Sequence, residues 1–405
     1  MIDVAKAYDL IIGSIQKSAP KSVSISDCVG QILRQEIEAE REQPPFHRVA
    51  MDGVALNLNA HDLAFLRDKK LQIEGVQRAG QEMQSLKNEL SVYEVMTGAP
   101  LPEGCDCVVR YEEVELHDGY ITFNADSTFS HMQNVHLRGS DFNADATLLS
   151  EGSKILCPDV GVIVSQGNKN VLIGNDPKIA IISTGDELVD PGLEIMDHQI
   201  RRSNPYTICA ELNHQGFAKT SLFHLPDNPE KMDETLEMVL RDFDFIIMSG
   251  GVSKGKFDFV PDTLAKLGVE KKFHKIKQRP GKPFWFGTTK EGKGVFALPG
   301  NPVSSIFCMR RYVVAALNKY KGLQDFNRVE EVILNSEVKF KKDLTYFYPV
   351  KISNEGGKLL ATGLEGNGSG DYFKISGSDG FVELAADKEV FSKGDVVNFY
   401  RWGEL

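Results

Sequence analysis

From residue 178 to about 320 the chain repeats one texture, an apolar strand, a glycine-bearing loop and then an amphipathic helix, and few folds accommodate that alternation. The run Lys178-Ile179-Ala180-Ile181-Ile182-Ser183-Thr184 is almost continuously apolar, as expected of a strand covered on both faces. Asn228 reads as a helix cap with Pro229 in the first position, and Met232, Leu236, Val239 and Leu240 form that helix's inner face. Further strands are expected from Phe243 to Met248, at about 269–277 and at 294–298, with a helix from Pro302 onward. The expected class is a multidomain α/β plus β chain with the α/β domain in the middle.

Both flanks differ from this centre. At 405 residues the chain exceeds one ordinary core, and roughly two to four domains are expected. Residues 2–18 place Val4, Tyr8, Ile11 and Ile15 on one helical face starting near Asp3, which should pack on a later segment. From Gln43-Pro44-Pro45 to about His136 short alternating runs such as 71–76 and 108–111 are broken by glycine and proline, predicting a small β-rich unit. Residues 137–176 read as extended, punctuated by Gly139, Gly152 and Pro158. After about 325 short strands return, at 329–338, 346–352, 380–384 and 395–400.

Composition narrows the function classes. The six cysteines, Cys28, Cys105, Cys107, Cys157, Cys209 and Cys308, lack the paired spacing of a zinc site and read as ordinary reduced thiols. No apolar run approaches the roughly 18 residues of a membrane span, and the first residues lack a signal pattern; a cytoplasmic protein without membrane contact is expected. The net charge of −11, with no basic tail or stripe, argues against nucleic acid. A small anion held locally remains compatible with it, because backbone N–H groups and a few lysines act at contact distance.

In an open α/β sheet the ligand crevice lies beyond the carboxyl ends of the strands. Three loops there are unusual: Ser183-Thr184-Gly185-Asp186-Glu187, then Ser249-Gly250-Gly251-Val252-Ser253-Lys254-Gly255-Lys256-Phe257-Asp258, then Leu298-Pro299-Gly300-Asn301-Pro302-Val303-Ser304. Small residues let backbone N–H groups approach an anion, and a helix N-terminus adds a favourable dipole. Taken singly, each loop also reads as a tight connection, Asp186 or Glu187 as a helix cap, and none has the lysine-terminated P-loop pattern. Three at one sheet edge, with Glu187 and Asp258 able to hold a hard cation, point to a phosphate-plus-magnesium site. Lys275, Arg279 and Lys282 supply positive charge nearby, while Lys277 reads as solvated. Outside this domain, the Pro44–Gly53 segment ends in an Asp52-Gly53 turn signal, His47 reads as a surface or hydrogen-bonded histidine, and Arg138-Gly139-Ser140-Asp141 is a polar turn with a carboxylate.

Taken in order, Pro44-Pro45-Phe46 with Ala50-Met51-Asp52-Gly53, Met96 to Pro102, Arg138-Gly139 with Asp141, Ser183 to Leu188, Ser249 to Ser253, Arg279 to Pro283 and Leu298 to Ser304 resemble the MoeA family of molybdopterin molybdenumtransferases, also found as the C-terminal part of gephyrin. The resemblance implies a linker and dimerisation domain over 1–43 and 137–176, and a β-rich domain inserted over 44–136. It further implies a three-layer, MoaB- and MogA-like molybdopterin-binding α/β domain over 177–323 and a β-barrel-like domain over 324–405. It implies a homodimer whose cleft lies between the α/β domain of one subunit and the β-rich domain of the other, with transient contacts to molybdopterin adenylyltransferase and apo-molybdoenzymes. The implied reaction takes adenylylated molybdopterin (molybdopterin-AMP) and molybdate, cleaves the pyrophosphate link with Mg2+, and releases AMP. Carried over by motif, Glu187, Asp227 and Asp258 would serve the cation or a water near the pyrophosphate, Asp52, Asp141, Lys275 and Arg279 would join them as catalytic residues, and Lys275, Arg279 and Lys282 would neutralise charge developing in P–O cleavage or bind molybdate. Thr97, Ser183, Thr184, Gly185, Asp186, Gly250, Gly251, Ser253, Lys282, Pro299, Gly300, Asn301, Pro302 and Ser304 would bind substrate.

The chain departs from the family pattern at His47-Arg48-Val49, where Asp-Asn-Ser is common, at Arg202, where an acidic residue is common, and at Lys254 and Lys256. These changes add positive charge, which would either strengthen anion binding or form salt bridges at an altered subunit contact. Gly366-Asn367-Gly368-Ser369-Gly370 fits the family's glycine-serine segment, but the basic residue often found around 344–345 is missing. Two other readings are a molybdopterin adenylyltransferase, disfavoured by the matches outside the α/β domain, and a non-catalytic dimeric scaffold. Glu187, Asp227, Asp258 and Lys275 favour retained chemistry over the scaffold.

Overall fold

The computed structural model describes residues 1–403 apart from 61–62, 227, 252–259, 326–328, 342, 365, 367 and 369. The chain forms two units, one of Met1–Gln35, Glu151–Val160 and Lys169–Leu405 and one of Glu36–Ser150 and Gly161–Asn168.

In the larger unit a six-stranded sheet runs in the order Thr220–Leu225, Ile179–Thr184, Phe245–Ser249, Gly294–Leu298, Trp285–Thr288, Glu270–His274. The first four strands are parallel, and Trp285–Thr288 alone runs against its two neighbours. Successive side chains point to opposite faces, and both faces are covered. Ile179, Ile181, Phe245, Ile247, Phe296 and Leu298 pack with the helices Asn204–His214 and Pro302–Cys308 and with Val4, Ala7, Tyr8 and Ile11 of the helix Val4–Ser14. Ala180, Ile182, Ile246, Met248, Val295 and Ala297 pack on the other side with Met232, Leu236 and Val239 of Pro229–Asp242 and with Val260 and Leu264 of Val260–Lys266. The result is a three-layer α/β domain. Asn228 does cap its helix, its side chain accepting from the Lys231 N–H at 3.1 Å, while Leu240 is only partly buried.

The helix Asn204–His214 and the strands Thr220–Leu225 and Trp285–Thr288 extend the sequence expectation. The strand–helix alternation stops at Glu270–His274, because only a short segment without a helix separates it from Trp285, and strands joined without a crossover helix pair antiparallel. The helix from Pro302 runs on to Lys321 through a π-helical turn at Met309–Val313.

Beyond it the strands Glu330–Leu334, Thr345–Glu355, Lys358–Gly363, Gly380–Leu384 and Val396–Arg401 pair in a closed ring around Val332, Tyr348, Val350, Ala361, Val382 and Phe399. Phe307 of the α/β domain stacks on Phe381 of this barrel at 4.5 Å between ring centroids. Beside that stack the Arg311 guanidinium pairs with Glu383 at 2.8 Å and lies over the rings of Tyr8 and Tyr400. Aromatic stacking and a cation held among rings give this junction directional contacts beyond area burial.

The smaller unit holds a six-stranded sheet in the order Cys107–Arg110, Gly53–Leu56, Ser91–Val95, Leu71–Gln77, Tyr120–Phe123, Val114–His117. Gly53 begins its strand with negative φ, and a Cβ there would sit 2.0 Å from the Val109 carbonyl oxygen; the Asp-Gly pair thus serves close strand packing rather than a turn. The segment 137–176, expected to be extended, contains the helix Cys157–Ser165. Pro158 opens it and the Asp159 carboxylate accepts from the Leu156 N–H at 2.7 Å, which is helix-start chemistry.

All six cysteines are free, and burial pushes the thiols of Cys105 and Cys107 up to about 12, keeping them protonated and inert. Among the described residues no helix is long and apolar enough to cross a membrane.

Candidate active site

Ser183 is in register with Ser249, and Ser249 with Leu298, so the three glycine-bearing loops leave the sheet side by side. Between the Ile179 and Phe245 strands the chain also changes direction: one leads to the edge at Thr220, the other to the opposite edge at Glu270. Such a switch point opens a crevice in which ligands bind.

The crevice is shaped by backbone packed too closely for side chains. Gly250 has φ +99°, and a Cβ there would lie 2.8 Å from Thr184 Oγ1; at Gly251, φ +69°, it would meet Val260 at 2.6 Å. At Gly185, φ +133°, a Cβ would strike the Glu187 carboxylate at 2.4 Å, so that carboxylate is folded back over the glycine. Asn204 Nδ2 donates to Ser249 Oγ and to the Gly300 carbonyl, both at 2.7 Å, and ties two of the loops together. Sequence reading missed this residue's role, although Ser203-Asn204-Pro205 is a helix-start pattern.

Two adjoining cavities result. One, of about 400 Å³, is lined by Ser183, Thr184, Gly185, Glu187, Arg201, Arg202, Asn204, Gly250, Gly251, Gly300, Asn301 and Pro302. The other, of about 660 Å³, shares Gly250, Gly251, Gly300 and Asn301 and adds Pro299 and Ser304, with Arg279 and Lys282 on its far wall. The barrel closes that wall with Leu344, Tyr346, Leu364, Gly366, Gly368 and Asp371, of which the sequence had pointed only to the glycine-serine segment. The short strand Gln278–Arg279 lies parallel to Thr345–Tyr346 of the barrel.

Some expected residues fall elsewhere. Asp186 and Lys275 line neither cavity. Lys275 is a backbone junction at φ +76°, its carbonyl accepting from the Ile2 N–H at 3.2 Å and its N–H donating to Phe284 O at 2.9 Å. The Ser183 hydroxyl lies 3.1 Å from His224 Nδ1 and donates to Phe223 O at 3.3 Å, so it is engaged by the neighbouring strand. Asp227, Ser253 and Asp258, like Lys254 and Lys256, lie outside the described residues. Among the described residues no three His, Cys, Asp or Glu side chains gather as a metal site; Glu187 alone of the expected carboxylate set is seen at the crevice.

Arg202 forms an ion pair inside its own chain, Nη2 to Asp190 at 2.8 Å, and lies over the Tyr206 ring. Lys277 pairs at the surface with Asp343 at 3.1 Å. In the smaller unit, the Asp52 carboxylate accepts from the Thr97 N–H at 2.6 Å and from the Thr97 hydroxyl at 2.8 Å; these bonds hold its pKa below the usual carboxylate range, so it is anionic at neutral pH. Asp141 is exposed on its turn, its backbone N–H donating to Gln43 O at 2.9 Å. His47 Nδ1 accepts from the Arg138 N–H at 3.2 Å, the hydrogen-bonded histidine that the sequence suggested.

Comparison with known proteins agrees along the whole chain. Family models match residues 2–167 as the MoeA N-terminal region (domain I and II), 180–319 as the probable molybdopterin binding domain, and 331–402 as the MoeA C-terminal region (domain IV). The molybdopterin molybdenumtransferase of Synechocystis sp. is 37% identical over 99% of this chain and 100% of its own, and that of Haemophilus influenzae 29% identical over 95% and 94%. Two crystal structures of the molybdopterin biosynthesis moeA protein from Pyrococcus horikoshii superpose with TM-scores of 0.83 and 0.81 at 27% and 25% identity, covering 100% and 99% of this chain and 100% of theirs.

Proposed function

The chain belongs to the MoeA family of molybdopterin molybdenumtransferases, enzymes of molybdenum insertion in molybdenum cofactor biosynthesis, and from that premise we propose that its substrate is adenylylated molybdopterin, cleaved with Mg2+ as molybdate is captured. The observation that carries this reading is the pair of adjoining cavities with a shared glycine floor, which suits a ligand with two bulky halves joined through phosphate. Backbone N–H groups near Gly250 and Gly300 would hold the phosphate link, where fixed dipoles need no reorganisation as charge develops. Arg279 and Lys282 on the opposite wall would neutralise molybdate and the departing phosphate.

Glu187 places a carboxylate on the crevice wall, and oxygen donors of this kind are what Mg2+ takes, so the donor chemistry fits. Bound there with Asp227 and Asp258, magnesium would offset phosphate charge. The assembly in this reading is a homodimer in which Asp52 and Asp141 reach the cleft from the second copy, Asp52 already ionised and oriented by Thr97. The free thiols fit the cytoplasmic location proposed with it.

The test is single-turnover release of AMP from adenylylated molybdopterin, with and without molybdate and Mg2+. Release that requires both is expected. Tight binding without release would mean a carrier or scaffold, and absence of binding would mean a different substrate.

A further inference from the structure

The Arg279–Lys282 loop is held from beneath by the buried side chain of Gln278, just before it, and by Cys308 and Tyr312, distant in sequence. Gln278 is 1% exposed, yet its amide is engaged on both ends: Nε2 donates to the Pro280 carbonyl and to Cys308 Sγ, both at 3.2 Å, and Oε1 accepts from the Tyr312 hydroxyl at 2.5 Å. Cys308 Sγ lies 3.8 Å from the Gly281 carbonyl oxygen, and both Cys308 and Tyr312 are fully buried. Gly281 has φ +94°, and a Cβ on it would come within 2.4 Å of Gln278 Nε2 and 2.6 Å of Cys308 Sγ. The loop therefore rests directly on the amide and the thiol. Its ends are fixed as well, Ile276 N–H donating to Lys282 O and Thr345 N–H to Lys277 O, each at 3.0 Å.

An apolar side chain of similar volume would fill the position of Gln278 without any cost of burying an amide. What the amide adds is direction, because hydrogen bonds weaken steeply off their axis. It fixes the Pro280 carbonyl, one peptide from Arg279 and two residues from Lys282, and the Tyr312 hydroxyl fixes the amide in turn. Tyr312 sits in the π-helical turn, so the wider turn belongs to the same support.

We propose that Gln278, oriented by Tyr312 and seated beside Cys308, is a positioning residue that sets Arg279 and Lys282 at the spacing needed to clamp the oxyanion entering the main cavity. The inference rests on the reading of that cavity as the anion site.

The experiment uses the full chain and three variants, Gln278→Met, Tyr312→Phe and Lys282→Ala, with sodium molybdate titrated calorimetrically and KM and kcat measured for molybdate-dependent AMP release. Gln278→Met and Tyr312→Phe are expected to weaken molybdate binding and raise its KM by about tenfold, with kcat changed by less than about threefold. Tyr312→Phe removes only a hydroxyl and decides the matter if Gln278→Met does not fold. A lower Tm with unchanged KM in these variants, while Lys282→Ala loses affinity, would leave Gln278 a structural residue and overturn the proposal. No loss of affinity in Lys282→Ala would overturn the anion-site reading itself, and the inference with it.

Discussion

The two walls of the main cavity are built by different means. On the α/β side the contacts are local: Gly250, Gly251 and Gly300 follow strands held in register by five residue pairs with each parallel neighbour, and Gly250 and Gly251 press directly on Thr184 and Val260. On the barrel side two cations ride on a loop whose shape comes from buried side chains and from a borrowed barrel strand. The first wall is therefore vulnerable at the site itself, where a side chain at Gly250 or Gly251 would collide. The second is vulnerable at a distance, where nothing touches a ligand.

The largest effect is expected where the walls are joined. Arg311→Met would leave Glu383 without its cation and empty the space among Tyr8 and Tyr400, costing about 2–4 kcal/mol after allowance for the pair's partial exposure. Urea unfolding measures this, and a midpoint unchanged from wild type would mean that the walls are fixed independently. Next comes Gly250→Ala, which puts a side chain at φ +99° and 2.8 Å from Thr184 Oγ1; AMP release should fall about 100-fold. Turnover within about threefold of wild type would show that the α/β wall yields, and the contrast between the walls would fail.

Asn204→Ala tests the same wall more gently, since it removes two hydrogen bonds that tie Ser249 to Gly300. A fall of about tenfold in kcat/KM with little change in Tm is expected. The smallest effect belongs to the separate unit. Thr97→Val removes one of the two bonds that depress the Asp52 pKa, so that pKa should rise, as read by NMR titration. Because the folded pKa lies below the unfolded value of about 3.9, the carboxylate's contribution to stability is present above that pH and lost as pH falls through the folded pKa. Any Tm difference between wild type and Thr97→Val should therefore be seen at neutral pH and vanish in strong acid.

The same contrast explains what could be read from the residues alone. Apolar runs such as Ile179–Thr184, the cap at Asn228 and the glycines of the α/β wall carry local signals, because strand burial and positive φ restrict residue type at the position itself. Trp285–Thr288 was not anticipated, since four residues following Pro280 and Pro283 give neither alternation nor length. Gln278 and Asn204 were passed over as site residues for another reason. Their partners lie 34 residues away in one case, and 45 and 96 in the other, so their work is invisible until the chain is folded. Lys275 shows a further case: beside the basic motif that the sequence displays, its backbone also forms a junction with Ile2 that no local pattern announces.

The pairing of Gln278–Arg279 with Thr345–Tyr346 bears on modularity. A chain cut after residue 323 would keep every helix and strand of the α/β domain, yet lose the strand beside which Arg279 is laid and the aromatic seat of Phe307. The C-terminal domain is thus no detachable appendage, and exchanging it between relatives would re-aim the cationic loop along with it. Grafting experiments that move the α/β domain alone should carry over the glycine floor without the cation clamp.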